Sequence, residues 1–133
     1  MKKKEIVKKW WNAEHYLAGE IVECTTELIK HQHGYPNSIM EKYKDEDTCV
    51  KKWDEILTKI RDGFKWYYDN DGDFYIWKDG KVPPPSDFIK NPDGTSTMTP
   101  TPKGFKLIKD TENIKKFKEA KKLFIEYYEN LWD

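Results

Sequence analysis

Apolar side chains return at steps of three and four along three stretches of this chain, the spacing that lines one face of an α-helix. In residues 5–32, Ile6, Trp10, Ala13, Leu17, Ile21, Cys24, Leu28 and His31 form one stripe. Trp11, Ala18, Val22 and Ile29 form a second strip beside it. Two strips suit a helix that is central in the fold or packs on another subunit. Asn12 offers an N-cap for a shorter helix, and Gly34-Tyr35-Pro36 ends the segment, with Gly34 suited to the left-handed position after the last turn.

Residues 37–47 are polar and turn-rich, with room for one helical turn. Asp47 or Thr48 then offers an N-cap, and Cys49, Trp53, Ile56, Leu57, Ile60, Phe64 and Tyr67 define a second amphipathic helix over 48–68. Asp110 or Thr111 caps the third helix, in which Phe117, Ala120, Phe124, Tyr127 and Leu131 recur at helical spacing. Leu123 and Tyr128 widen that stripe, while Ile114, Ile125 and Trp132 lie on a flank of their own.

The middle changes character. Asp69–Asp73 and Lys78–Lys81 read as turns on either side of Phe74-Tyr75-Ile76-Trp77, an aromatic and branched run that predicts a short strand in a small β-hairpin. Residues 82–110 read as a long irregular connection. They contain the stiff Pro83-Pro84-Pro85, a turn at Asn91–Gly94, and Thr at alternate positions from Thr95 to Thr101. The expected fold is mainly α: a three-helix core with a small β-hairpin and a long, mobile Pro/Thr-rich loop before the C-terminal helix. Residues 1–133 read as one domain with an irregular insert at about 69–110.

Composition sharpens this picture. Charged residues make up 36% of the chain and hydrophobic ones 37%, which is polar, but 15% are aromatic. Each buried aromatic removes roughly 150–250 Å² from water, so relatively few suffice for a core. The 24 basic and 24 acidic groups cancel, and they stay balanced over residues 1–47, 48–82 and 83–133 taken separately. A nucleic-acid partner is therefore not expected, since phosphate binding leaves a basic footprint. No apolar run is long enough for a membrane span, and Met1–Glu5 lacks the apolar stretch of a signal peptide, so a soluble intracellular protein is expected. Cys24 and Cys49 lie on apolar stripes and read as free, buried thiols.

Candidate chemistry is sparse. Asp69, Asp71 and Asp73 resemble the start of a calcium loop, but Gly72 stands fourth rather than sixth and Gly80 occupies the twelfth position where a Glu is needed. Cys24, His31 and His33 fall short of a structural zinc set. His15 beside Glu14 or Glu20 has no nucleophile elbow or phosphate loop to serve. No catalytic residue, metal ligand or cofactor is assigned. The surplus is aromatic: Trp11, Trp66, Tyr75, Trp77 and Trp132 stand off the main stripes and are the candidate binding surface, because Trp and Tyr concentrate at binding hot spots. Aromatics also stack on nucleobases, so a small nucleotide ligand fits this composition without a basic surface.

Leu123-Phe124-x-x-Tyr127-x-x-x-Leu131-Trp132-Asp133 resembles the ending of a group of small tailed-bacteriophage proteins of unknown function. Trp53-x-x-Ile56-Leu57-x-x-Ile60-x-x-x-Phe64 is similar to their middle helix, and Tyr16-Leu17-Ala18 with Gly34-Tyr35-Pro36 to their first helix and its exit. The resemblance covers about half to two-thirds of the chain. It implies a phage-encoded protein in the cytoplasm of the host bacterium and brings no catalytic residues. The expected function is a non-enzymatic binding protein, a counter-defence or host-modulating factor that binds a host protein or sequesters a small nucleotide signal. A virion structural or assembly component, and a small enzyme with an inter-subunit site, are the alternatives. The second strip of the first helix and the Ile114/Ile125/Trp132 flank predict a homo-oligomer.

Overall fold

The computed structural model describes residues 12–31 and 34–131. Ile6, Trp10, Trp11, His33 and Trp132, which the sequence reading placed on stripes or at sites, lie outside the described residues. The chain is mainly α. Helices α1 (Ala13–Lys30), α2 (Asn37–Tyr43) and α3 (Glu46–Asp69) come first. Strands β1 (Tyr75–Trp77), β2 (Phe88–Lys90), β3 (Ser96–Met98) and β4 (Leu107–Lys109) follow, and then α4 (Thr111–Glu126). The chain divides into two compact units. One holds the helices; the other is Phe74–Asp110.

In the helical unit α3 packs against α1, α2 and α4. Its stripe is buried as its spacing predicts: Cys49, Trp53, Leu57, Ile60 and Phe64 are all closed to solvent. The N-cap lies upstream of both predicted positions. Asp45 caps α3, with its Oδ2 accepting from the Thr48 N–H at 2.9 Å and from the Thr48 hydroxyl at 2.7 Å. That arrangement places Asp47 and Thr48 inside the first turn. Ile39 of α2 joins Cys49, Trp53 and Leu57 in one cluster, and the Cys49 thiol donates to the Ile39 carbonyl at 3.6 Å.

The α3–α4 seam is close because Gly63 of α3 has no side chain. A Cβ there would collide with the Ala120 Cβ. Beside this contact Phe64 meets Phe117 and Phe124 edge-on, and Tyr67 stacks on Phe117 at 4.6 Å. Phe117 and Ala120 are buried, whereas Phe124, Tyr127 and Leu131 are half-buried. The regular helix ends at Glu126, and a 3₁₀ turn over Tyr128–Asn130 follows.

Helix α1 is rotated relative to its predicted stripe. Ala18 and Thr25 are its buried residues, with Val22 and Ile29 half-buried, so the second strip faces the core and Leu17 is 60% exposed. The Thr25 hydroxyl donates to the Ile21 carbonyl at 2.7 Å, which lets a polar side chain occupy the core face without an orphaned donor. Spacing alone did not reveal this, because a short Thr is not scored as apolar. Cys24 is exposed, which corrects its reading as a buried thiol; Cys49 is buried. α1 closes at Lys30 with His31 as its cap, before Gly34 is reached.

His15, near the start of α1, stacks on Tyr68 of α3 at 4.3 Å. Its Nδ1 lies 3.0 Å from Asp71 Oδ1, without hydrogen-bond alignment. The Asp69–Asp73 segment is a helix stop. Asp71 and Gly72 take positive φ, and the Gly72 N–H returns to the Tyr67 carbonyl.

The Phe74–Asp110 unit corrects the predicted local hairpin. β1 does not pair with the residues that follow it. It runs antiparallel to β4, with Tyr75 opposite Lys109 and Trp77 opposite Leu107. Its local partner was excluded because Lys78–Gly80 forms a 3₁₀ turn, with Asp79 and Gly80 at positive φ, leading into the triple-proline run. The expected irregular loop carries a second antiparallel pair, in which β2 and β3 place Phe88 opposite Met98 and Ile89 opposite Thr97. The alternating threonines hold this turn together. Asn91 Nδ2 donates to Thr95 Oγ1 and Thr97 Oγ1, Asp93 Oδ1 accepts from Thr95, and the Thr99 N–H donates to the Asp87 carbonyl.

Candidate functional site

The aromatic residues singled out from sequence separate on the two units. Tyr75 and Trp77 share one face of β1, two residues apart, with Leu107 of β4 across from Trp77. Ile76 and Ile108 pair on the opposite face. The Ile76/Ile108 face is therefore aliphatic, and the Tyr75/Trp77/Leu107 face is apolar except for Lys109 opposite Tyr75. Trp66 belongs to the helical unit, where it is half-buried with its ring 6.1 Å from Phe117. It flanks the α3–α4 seam, whereas the sequence reading set it opposite that helix's stripe. Trp11 and Trp132 are outside the described residues.

From Phe74 to Asp110 every side chain is at least partly open to solvent. Tyr75, Ile76, Phe88, Ile89, Met98 and Leu107 are exposed, and the Phe88 ring is 72% accessible. A two-stranded pair is marginal in water without a surface to pack on. Burying one large apolar side chain is worth roughly 1.5–3 kcal/mol, so the binding potential of this exposed set is considerable.

The helical unit contributes a second feature that sequence reading missed. A cleft of about 320 Å³ opens between α2, α3 and the C-terminal part of α4. Its lining is mixed: Ile39, Ile56 and Leu123 are apolar, Tyr43 and Tyr127 supply two phenol rings, and Lys42, Lys52, Lys59, Glu55 and Glu126 bring charges of both signs. Lys42 and Lys52 bring their ammonium groups to 5.5 and 5.6 Å from the centre of the Tyr43 ring. Lys52 also pairs with Glu55 at 3.4 Å, and Lys59 with Glu119 at 3.2 Å. Among the described residues Lys42 has no carboxylate partner. Tyr127 packs edge-on against Trp53, and burial, followed by Glu126 and Tyr43, pushes its hydroxyl above the ordinary range. The signal in the sequence was Lys42-Tyr43, overlooked because α2 read as a turn.

Among the described residues no group of three His, Cys, Asp or Glu side chains is placed to hold a metal ion. Nor is any described helix long and apolar enough to cross a membrane. His31 contacts Glu27 in the last turn of α1, with Nε2 3.4 Å from the carboxylate. His15 has the Asp71 carboxylate beside it, with Nδ1 3.0 Å from Oδ1. Comparison with protein-family models, with curated proteins and with solved structures found no match for this chain.

Proposed function

We propose that this is a non-enzymatic binding protein of tailed-phage origin, made in the cytoplasm of the infected bacterium, which engages a host protein through the exposed apolar side chains of the Phe74–Asp110 unit. One observation carries the reading: that unit has no buried side chain of its own, yet presents several large apolar ones. A partner that covered them would supply the missing packing and order the strands on binding. In this reading α1, α3 and α4 are the stable three-helix core, and the insert is the contact surface. The phage origin rests on the similarity of the Leu123–Asp133 ending and of the Trp53–Phe64 helix. A counter-defence role follows by analogy from that origin.

The test is a paired purification from infected cells of the natural chain and a Phe88→Asp/Met98→Asp variant. Both positions are exposed, so the helical circular-dichroism signal and the unfolding midpoint should not change. A host protein that accompanies the natural chain should be lost from the variant. Retention of the same protein by the variant would refute the reading, and recovery of the chain in intact virions would favour a structural component instead.

Self-association is part of the proposal. Leu17 on α1 and Ile125 on α4, 60% and 76% exposed, lie on helix faces that nothing described covers. Light scattering at micromolar concentration should report a dimer or larger assembly; a monomer would remove this element.

A further inference from the structure

Resting on the self-association proposed above, we infer that α1 of one copy docks antiparallel along α4 of a second copy. The contact sets an acidic stripe on a basic one, with an apolar pair at one end.

On α1, Leu17, Glu20, Cys24 and Glu27 follow at steps of three, four and three, so they share one face, and all four are exposed. On α4, Lys115, Lys118, Lys122 and Ile125 follow at the same steps and are exposed too. Each stripe is about 15 Å long, from a helical rise of about 1.5 Å per residue. Laid antiparallel, the two set Leu17 on Ile125, Glu20 on Lys122, Cys24 beside Lys118 and Glu27 on Lys115. A parallel arrangement would face Leu17 with Lys115 and Ile125 with Glu27, so apolar contact selects the antiparallel one. The charges of the whole helices agree. α1 carries four glutamates against Lys30, whereas α4 carries five lysines against three glutamates. Of the α4 charges, Lys116 pairs with Glu112 and Glu119 with Lys59, while Lys115, Lys118 and Lys122 have no carboxylate partner among the described residues. Glu27 contacts Lys30 and His31 in its own last turn, but such exposed pairs are weak enough to be exchanged. Like charges lie outside the seam: Glu119 stays with Lys59, and Glu14, Glu126 and Glu129 stand past the Leu17/Ile125 end, exposed to screening by salt. The occupant is a second copy because this chain carries the complement of each stripe at matching spacing.

The experiment is a charge swap on the full chain, read by light scattering at micromolar concentration. The natural chain should associate, and less so as salt is raised. Lys115→Glu/Lys122→Glu and Glu20→Lys/Glu27→Lys should each weaken association at least about tenfold, since like charges then face one another. An equal mixture of the two should associate again, because each supplies what the other has lost. All four positions are exposed, so the helical circular-dichroism signal should stay the same in both variants. A second measurement does not depend on charge reversal. Lys118→Cys should be joined to Cys24 of another copy by a short bismaleimide, and Cys24→Ser in the same chain should abolish that product; Cys49 is buried and does not compete. Association that neither charge variant disturbs, with no cross-link through Cys24, would overturn this docking while leaving self-association standing. A mixture that stays monomeric would also overturn it. A natural chain that is itself monomeric would remove both.

Discussion

At the residue scale, Gly63 sets the spacing of α3 and α4. In an exposed helix, alanine would be favoured over glycine by about 1 kcal/mol. Here the new methyl meets Ala120, and forcing a methyl into a packed seam costs roughly 1–3 kcal/mol, so the packing term wins. Gly63→Ala should lower the urea midpoint without changing the slope, and Ala120→Gly in the same chain should recover part of the loss. Leu57, fully buried, should cost about 2–5 kcal/mol as Leu57→Ala. Asp45 gives a pH prediction. Hydrogen bonds from the Thr48 hydroxyl and N–H hold its carboxyl below the ordinary carboxylate range. Its value is lower folded than unfolded, so its stabilisation is present above the unfolded value and is lost as pH falls through the folded one. The protection of the Thr48 amide against hydrogen exchange should therefore decline in acid, and Asp45→Ala should abolish that step.

At the scale of elements, α3 and the Phe74–Asp110 strands differ in what water can reach. α3 is closed in by α1, α2 and α4, and the strands have no buried side chain. Amides of β1–β4 should exchange well before those of Leu57–Phe64, and Asn91→Ala should speed exchange in β2 and β3 further by removing two side-chain bonds. The same contrast explains what the sequence made legible. Leu57, Ile60 and Phe64 are core because a long helix with one apolar stripe has one way to hide it. The register of α1 was ambiguous, since two strips competed and a self-satisfied Thr25 decided the outcome. β1 pairs across about thirty residues with β4, a partner that no local turn signal announces. The threonines of 95–99 read as low complexity because their order comes from Asn91, Asp93 and Asp87. The cleft was hidden for a similar reason: Tyr43 and Tyr127 meet only once α2 and α4 have docked on α3.

At the scale of the whole molecule, the helical unit is interrupted between Asp73 and Thr111 and resumes without loss of packing between α3 and α4. Replacing residues 74–110 with a short Gly/Ser linker should leave the helical circular-dichroism signal and a single cooperative unfolding transition. A chain that failed to fold would show that the strands contribute to the core. The reason to expect success is the Asp110 N–H donating to the Phe74 carbonyl at 2.8 Å, which brings the outgoing and returning chain together. Loop-closure entropy rises only with the logarithm of length, so exchanging one segment for a shorter one changes it little. That single contact makes the junction a socket. Any guest fold whose own termini lie side by side, a fluorescent reporter for instance, can be seated there, and the host helices would need no new contact to hold it.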